Sequence, residues 1–203
     1  MSDQITATNS DAKFAPHPEG QYPARCVDVV DLGEKVEQYP GYPQRLSHKC
    51  MLIFRTGEQN LETGDFIDIG KEFTVSMGEK ANLRKALEDW RGKSYTPAQV
   101  DEGVPLHKLT GQPALITVEH KTSGKGRTYA NLKTIAPLPK QMSESAPSAD
   151  GYQRAEYIEE RKKAYAQESK AFRKAAAAPS MPGDDEDYPG QSPEDDDDSS
   201  LPF

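Results

Sequence analysis

Aromatic and basic side chains occur together in two turn-rich segments of the sequence, EQYPGYPQR (37–45) and KTSGKGRTY (121–129). Aromatic rings stack on nucleobases of any sequence, at about 1–3 kcal/mol per base, while Lys and Arg follow the phosphates. These residue types therefore predict sequence-tolerant, salt-sensitive binding of a single strand. The candidates in the two segments are Tyr39, Tyr42, Arg45, Lys121, Lys125, Arg127 and Tyr129.

Four further candidates lie on predicted strands. Lys49 and Arg55 belong to the second strand, and Lys71 and Phe73 to the third. On those strands they stand where the basic and aromatic contacts to a single strand of nucleic acid would be needed.

Structural roles compete with this interpretation. Phe54, Phe66 and Phe73 stand in apolar strands and are also explained by core packing, and Trp90 by the apolar stripe of a helix. The basic hairpin at 121–126 is also explained as a solvated turn. The two Tyr-Pro pairs are harder to explain by packing, because a turn-rich loop has little core to join.

Five strands carry these residues. Period-two patterning bounded by turn residues predicts strands at 20–33, 46–56, 65–77, 112–120 and 127–135, with a bulge at Gly70. Polar hairpin loops are predicted at 57–64 and 121–126.

Two helices are predicted between the third and fourth strands. Ser76, with Glu79 three positions later, predicts a capped start, and Gly92 ends the first helix. Thr96 and Pro97 predict the start of a short second helix. The first helix has an apolar stripe made of Leu83, Ala86, Leu87 and Trp90. Three strands, a helical insertion and two strands form the element order of an OB-fold, so the fold class expected is a mainly β, five-stranded OB-fold-like barrel.

Charge divides the 203 residues into segments. The net charge is −8, yet residues 14–140 hold 17 basic and 16 acidic side chains, while 179–203 hold nine acidic and no basic ones. Composition predicts a disordered arm (1–13), a nucleic-acid-binding domain (14–140), a linker (141–149), a helix (150–178) and a disordered acidic tail (179–203).

The tail ends in EDDDDSSLPF. Four consecutive aspartates repel one another and stay solvated, whereas the last residues are apolar and end in a carboxylate. This combination predicts a hook for a basic-rimmed apolar pocket on a partner protein. The residues assigned to partner binding are Asp195, Asp196, Asp197, Asp198, Leu201, Pro202 and Phe203.

Several other classes find no support in the sequence. The four histidines, His17, His48, His107 and His120, are scattered without metal-ligand spacing, so no metal or other cofactor is expected. No nucleophile motif occurs, GKG is not a P-loop, and carboxylates are most concentrated in the predicted disordered tail, where no fixed geometry could perform acid–base work, so no enzyme is expected. Two distant cysteines argue against a disulfide framework, and no apolar run of about 18 residues or leader sequence is visible. A cytoplasmic protein is expected.

The chain end resembles the C-terminal tip of bacterial and phage single-stranded-DNA-binding proteins, through Asp195–Asp198 and the terminal LPF. Residues 20–140, with GEKANLRKALEDWRGKSYTPAQV and YANLKTIAPLPK, resemble phage-encoded OB-fold members of that class. The resemblance implies a protein that coats DNA in the cytoplasm of a bacterial host during replication, recombination or repair. It also implies that the tail recruits replication or recombination proteins and that its negative charge competes with DNA for the basic groove.

Two alternatives stay open. A DNA mimic or inhibitor would act through the acidic tail, with the folded part as its carrier. A structural or scaffold protein would self-associate through the helix at 150–178, whose stripe is Ile158, Tyr165 and Phe172.

Overall fold

A computed structural model describes residues 16–124 and 126–177. The predicted arm at 1–13 and the acidic tail at 179–203, with its partner-binding tip, lie outside the described residues, as does Lys125.

Five antiparallel strands form one sheet in the order β3-β2-β1-β4-β5. They are β1 (Gly20–Glu37), β2 (Arg45–Arg55), β3 (Ile69–Thr74), β4 (Pro113–Thr122) and β5 (Thr128–Ala136). The mainly β prediction with five strands is confirmed. The sheet is not closed into a barrel, because no backbone ladder joins β3 to β5 in the described part of the chain.

The length of β1 allows it to pair with two neighbours. Its first residues, Gly20 to Arg25, pair with β4, and the stretch from Arg25 to Glu37 pairs with β2. Two register shifts, at Cys26/Asp28 and Asp31/Gly33, interrupt the second ladder. Such irregularities bend a strand and increase its twist, which brings the outer strands of the sheet toward each other.

The main core lies on one face of the sheet beneath α1 (Asn82–Arg91). Leu83, Leu87 and Trp90 are buried there, as their helical spacing predicts. The Trp90 ring meets Phe54 edge-on at 5.3 Å, and its Nε1 donates to Pro113 O at 2.9 Å. The core role of Trp90 and Phe54 is therefore confirmed. The short α2 (Pro97–Glu102) follows with the predicted Thr96 cap.

The opposite face of the sheet is covered by α3 (Glu156–Ala176). Ile158 is fully buried in a second apolar cluster with Val27, Val30, Met51 and Ile53 among others. Hence the helix predicted at 150–178 is a docked element of the folded part. The preceding segment contains a 3-10 helix, Lys140–Ser145.

Two local predictions are wrong. Ser76 does not cap α1, which starts at Asn82; its Oγ accepts a hydrogen bond from the N–H of Gly78 at 3.3 Å. The chain needs residues 76–81 to cross from the sheet edge to the sheet face. Gly70 is not a bulge, because it pairs with Ile53 in regular register. A Cβ at Gly70 would lie 3.0 Å from Met51 Sδ, so packing explains this glycine.

Candidate nucleic-acid interface

A basic cleft of about 860 Å³ lies between the two edge strands, β3 and β5. The residues around the start of α1 and the loop after β1 complete its lining. Positive side chains outnumber negative ones, which is the balance an anionic polymer requires. The lining cations are Arg45, Lys49, Lys71, Lys80, Lys85 and Lys133, and the lining carboxylates are Glu72 and Asp89.

Lys71 spans the gap between the two edge strands. Its Nζ donates a 2.6 Å hydrogen bond to the main-chain O of Leu132, so a side chain connects β3 to β5. Burial of the ammonium is the main cause that lowers the pKa of Lys71, and repulsion by Lys121 is the second. The nearby Glu119 carboxylate has the opposite effect and raises this pKa. An anion in the cleft would favour the charged form of this lysine.

Lys49 is buried, and its charge already has a partner. The ammonium donates to Glu37 Oε1 at 2.5 Å and to Thr74 Oγ1 at 2.7 Å. The hydrogen bond from Lys49 lowers the pKa of the Glu37 carboxyl, against the opposing effect of partial burial. These contacts connect β1, β2 and β3 and support a structural role. The predicted phosphate contact of Lys49 stays a prediction.

The loop after β1 presents two tyrosines to solvent. Tyr39 is 48% exposed and lines the cleft together with Arg45, whose guanidinium lies 5.3 Å from the Tyr39 ring centroid. The Tyr39 hydroxyl donates to Glu37 Oε2 at 3.3 Å. Tyr42 is 71% exposed, and its backbone N–H bonds to Tyr39 O at 3.0 Å. One ring therefore faces the cleft, and the second stands outside its lining.

The sequence does not single out three lysines that line the cleft, Lys80, Lys85 and Lys133. The apolar stripe of the insertion helix predicts only a packing role for that helix. All three are exposed. Their signal in the sequence is weak, since exposed lysines on a helix or an edge strand are common. Only the strand order reveals that the start of α1 and the outer side of β5 share one cleft with β3.

The first turn of α1 contributes backbone groups to the same cleft. Ala81 and Asn82 line it, and the N-cap residue Ala81 provides no side-chain hydrogen bond to the helix. The first N–H groups of a helix have no intrahelical acceptor, and the positive end of the helix dipole lies there. This arrangement attracts phosphate in addition to the lysines.

The predicted basic hairpin stands beside the cleft and does not line it. Lys121 pairs with the 46% exposed Tyr129 across β4 and β5. Glu119 binds both Lys121, at 3.3 Å, and the cleft residue Lys133, at 3.1 Å. Hydrogen bonding to Lys133 is the main cause that lowers the pKa of Glu119. One carboxylate thereby connects the hairpin to the cleft.

Arg127 closes the hairpin turn through its backbone. Its N–H donates to Ser123 Oγ at 3.1 Å and its carbonyl accepts from the Ser123 N–H at 2.9 Å. The Arg127 side chain is exposed. Both side-chain predictions in the turn, for Arg127 and for Lys125, stay predictions.

Arg55 and Phe73 are buried, with 4% of each exposed. The guanidinium of Arg55 makes two 2.9 Å hydrogen bonds to Asp68, and its carbon lies 4.3 Å from the ring centroid of Phe66 and 5.6 Å from that of Tyr152. Phe73 packs in the main core and also lines the cleft, where the Lys71 ammonium lies 5.7 Å from its ring centroid. Packing is the role that the geometry supports for both, and their predicted contact with nucleic acid stays untested.

Comparison of the chain with protein families gives no matching family, and comparison with curated proteins gives no match. No helix in the described ranges has the length and apolar character needed to cross a membrane. Within 16–124 and 126–177, no three His, Cys, Asp or Glu side chains come together as metal ligands.

Proposed function

We propose that this protein binds single-stranded DNA, with little sequence preference, along the basic cleft between β3 and β5. One observation carries the proposal: the lysines of β3, β5 and α1 converge on one cleft that also holds the exposed Tyr39 ring. Lys and Arg bind phosphates of any sequence, and an exposed ring stacks on any unpaired base. A duplex hides its base faces, so the tyrosine favours single strands.

We further propose an OB-type arrangement for the sheet. An OB-fold is a five-stranded, partly open Greek-key barrel, and oligonucleotides bind across one face of it. The order β3-β2-β1-β4-β5 and the Lys71–Leu132 hydrogen bond support this comparison. The barrel would then be open at the seam where the cleft lies.

The acidic tail would have two tasks in this proposal. Its last residues would recruit replication, recombination or repair proteins to coated DNA. Nine negative charges tethered to a folded part with a basic cleft would also compete with DNA for that cleft. The protein would act in the cytoplasm of a bacterial host if a phage encodes it.

The alternative of a DNA mimic that acts through its tail predicts no affinity for single strands. The observation against it is the cleft itself, since a mere carrier of the tail needs no convergent lysines. The scaffold alternative needs the α3 stripe free, but Ile158 is covered by the sheet.

Fluorescence anisotropy with labelled oligo-dT, a duplex of equal length and an RNA, each at several salt concentrations, tests the proposal. We expect the tightest binding for oligo-dT, and log K should fall linearly with log salt concentration. Equal affinity for the duplex, or no binding to oligo-dT at low salt, would contradict it. The RNA arm measures discrimination between the two kinds of single strand.

A further inference from the structure

An apolar pocket of about 250 Å³ opens next to the basic cleft. It lies between the end of β3, the helix α1 and the segment after α2. Ligand pockets for drug-sized molecules have volumes of about 300–1,000 Å³, so this one has room for a single ring system. The residues that line it are Val75, Ser76, Met77, Leu83, Val104 and Leu106, together with Gly103.

Ser76 belongs to both the cleft and the pocket. The residues on its two sides, Val75 and Met77, line the pocket, while Lys80, further along the same segment, and Lys85 on α1 line the cleft. Ser76 therefore separates a cleft that holds cations from a pocket that is lined by apolar side chains. A nucleotide has the same division, because its phosphate is anionic and its base is flat and largely apolar on its faces.

The chemistry of the lining suits a planar ring with a polar edge. Met77 offers a polarizable thioether, which makes favourable contacts with aromatic rings. Leu83 is a buried apolar residue of the pocket lining, whereas Val75, also in the lining, is 38% exposed. The Ser76 Oγ accepts a hydrogen bond from the Gly78 N–H, so its own proton can be donated to a carbonyl or ring nitrogen of a base.

We infer that the pocket takes one nucleobase of the strand whose phosphates lie on Lys80 and Lys85. This inference rests on the proposed function and adds a subsite to it. Neighbouring bases of the bound strand would stay in the cleft, where Tyr39 offers an exposed ring for stacking, while one base turns away from the cleft past Ser76. One position of a bound oligonucleotide would therefore be held differently from its neighbours.

Site-specific photo-cross-linking tests the inference. The probes are dT oligonucleotides with a single 5-iodouracil at each position in turn, irradiated in complex with the full chain. We expect an adduct on Met77 from one position or two adjacent positions, located by mass spectrometry. An abasic site at the same position should weaken binding about fivefold, within the range of stacking losses, and abasic sites elsewhere should weaken it less.

A pocket-filling variant gives the matched test. Val104→Phe should remove the Met77 adduct and weaken oligo-dT binding about fivefold, while making the abasic oligonucleotide bind as well as the intact one. The control is Leu61→Phe, since Leu61 is fully exposed and lines neither the cleft nor the pocket. Thermal unfolding checks that each variant folds. If Val104→Phe fails to fold, Met77→Ala enlarges the pocket and should weaken binding in the same manner.

Three results would overturn the inference. Tight binding of oligo-dT with adducts only on Tyr39, Tyr42 or Tyr129, and with Val104→Phe unchanged, leaves the proposed function intact and removes the base pocket. No binding to oligo-dT removes both. The third concerns a different occupant: if Val104→Phe weakens binding of the peptide EDDDDSSLPF but not of DNA, the pocket holds an apolar peptide side chain.

Discussion

The ammonium of Lys71 on β3 donates a 2.6 Å hydrogen bond to the main-chain carbonyl of Leu132 on β5. This contact spans two edge strands that no backbone ladder joins in the described part of the chain. Both residues also line the basic cleft. A single titratable cation therefore connects the sheet edges and contributes to the charge of the proposed DNA path.

The first prediction concerns proton uptake at Lys71. Burial and Lys121 lower its pKa in the free protein, and a bound phosphate would raise the pKa again because it favours the charged form. The complex should therefore take up a proton at alkaline pH, and affinity for oligo-dT should fall as the pH rises through the lowered pKa. Titration calorimetry in buffers of different ionisation enthalpy measures this uptake.

Lys71→Arg provides the control, since an arginine keeps its charge throughout this pH range. The variant should bind without the alkaline proton uptake. The same uptake in the variant as in the wild type would assign the proton to another group and refute the role of Lys71.

The second prediction concerns stacking at Tyr39. Tyr39→Ala should weaken oligo-dT binding by about 1–3 kcal/mol, whereas Tyr39→Phe, which keeps the ring, should lose much less. Tyr157→Ala is the matched control, because Tyr157 is equally exposed but stands on α3, outside the cleft. Equilibrium anisotropy measures all three. If Tyr39→Ala and Tyr157→Ala lose the same amount of affinity for oligo-dT, Tyr39 has no specific role in binding.

The third prediction concerns the acidic tail. Deletion of 179–203 should strengthen oligo-dT binding, most at low salt, because it removes nine negative charges that compete for the cleft. Replacement of Asp195–Asp198 by asparagines should produce part of the same gain with the chain length unchanged. Pull-down of host replication proteins should be lost with the tail. Identical affinities across the salt series would eliminate the competition.

The sequence predicts much of the sheet and the presence of α1, α2 and α3. On β2, Cys50, Leu52 and Phe54 alternate with other residues and enter the main core, as period-two patterning requires. Leu83 and Trp90 likewise follow the helical period. These features depend on local spacing, which the sequence contains.

The position of the cleft depends on long-range order that the local pattern lacks. β2 is apolar on both faces, so nothing in it shows that α3 covers the face carrying Met51 and Ile53. The segment before α3 contacts Arg55 through the Asp150 carbonyl and the Tyr152 ring, and Arg55 is buried beside Asp68. Similarly, Lys133 joins Lys71 only because β5 and β3 are the two sheet edges. The sequence shows which side chains are charged, but it does not show which of them are exposed to solvent.

The fourth prediction concerns the docking of α3. Ile158→Ala should lower the free energy of unfolding by about 2–5 kcal/mol, because the buried side chain leaves a cavity between the helix and the sheet. Urea unfolding followed by circular dichroism measures the change. Glu160→Ala, at an exposed site on the same helix, is the control and should change it by less than about 0.5 kcal/mol. A similar small change for Ile158→Ala would show that α3 does not depend on this contact.

The most direct measurement compares two triple variants by the salt dependence of oligo-dT binding. One carries Lys80→Ala, Lys85→Ala and Lys133→Ala in the cleft; the other removes three exposed lysines of α3 outside the cleft, Lys162, Lys163 and Lys170. Each single-strand phosphate contact contributes about −0.7 to the slope of log K against log salt concentration. We predict that the cleft variant makes the slope shallower by about 2 and loses most of the affinity, while the α3 variant binds like the wild type. Equal losses in both variants, or an unchanged slope in the cleft variant, would contradict a DNA path between β3 and β5.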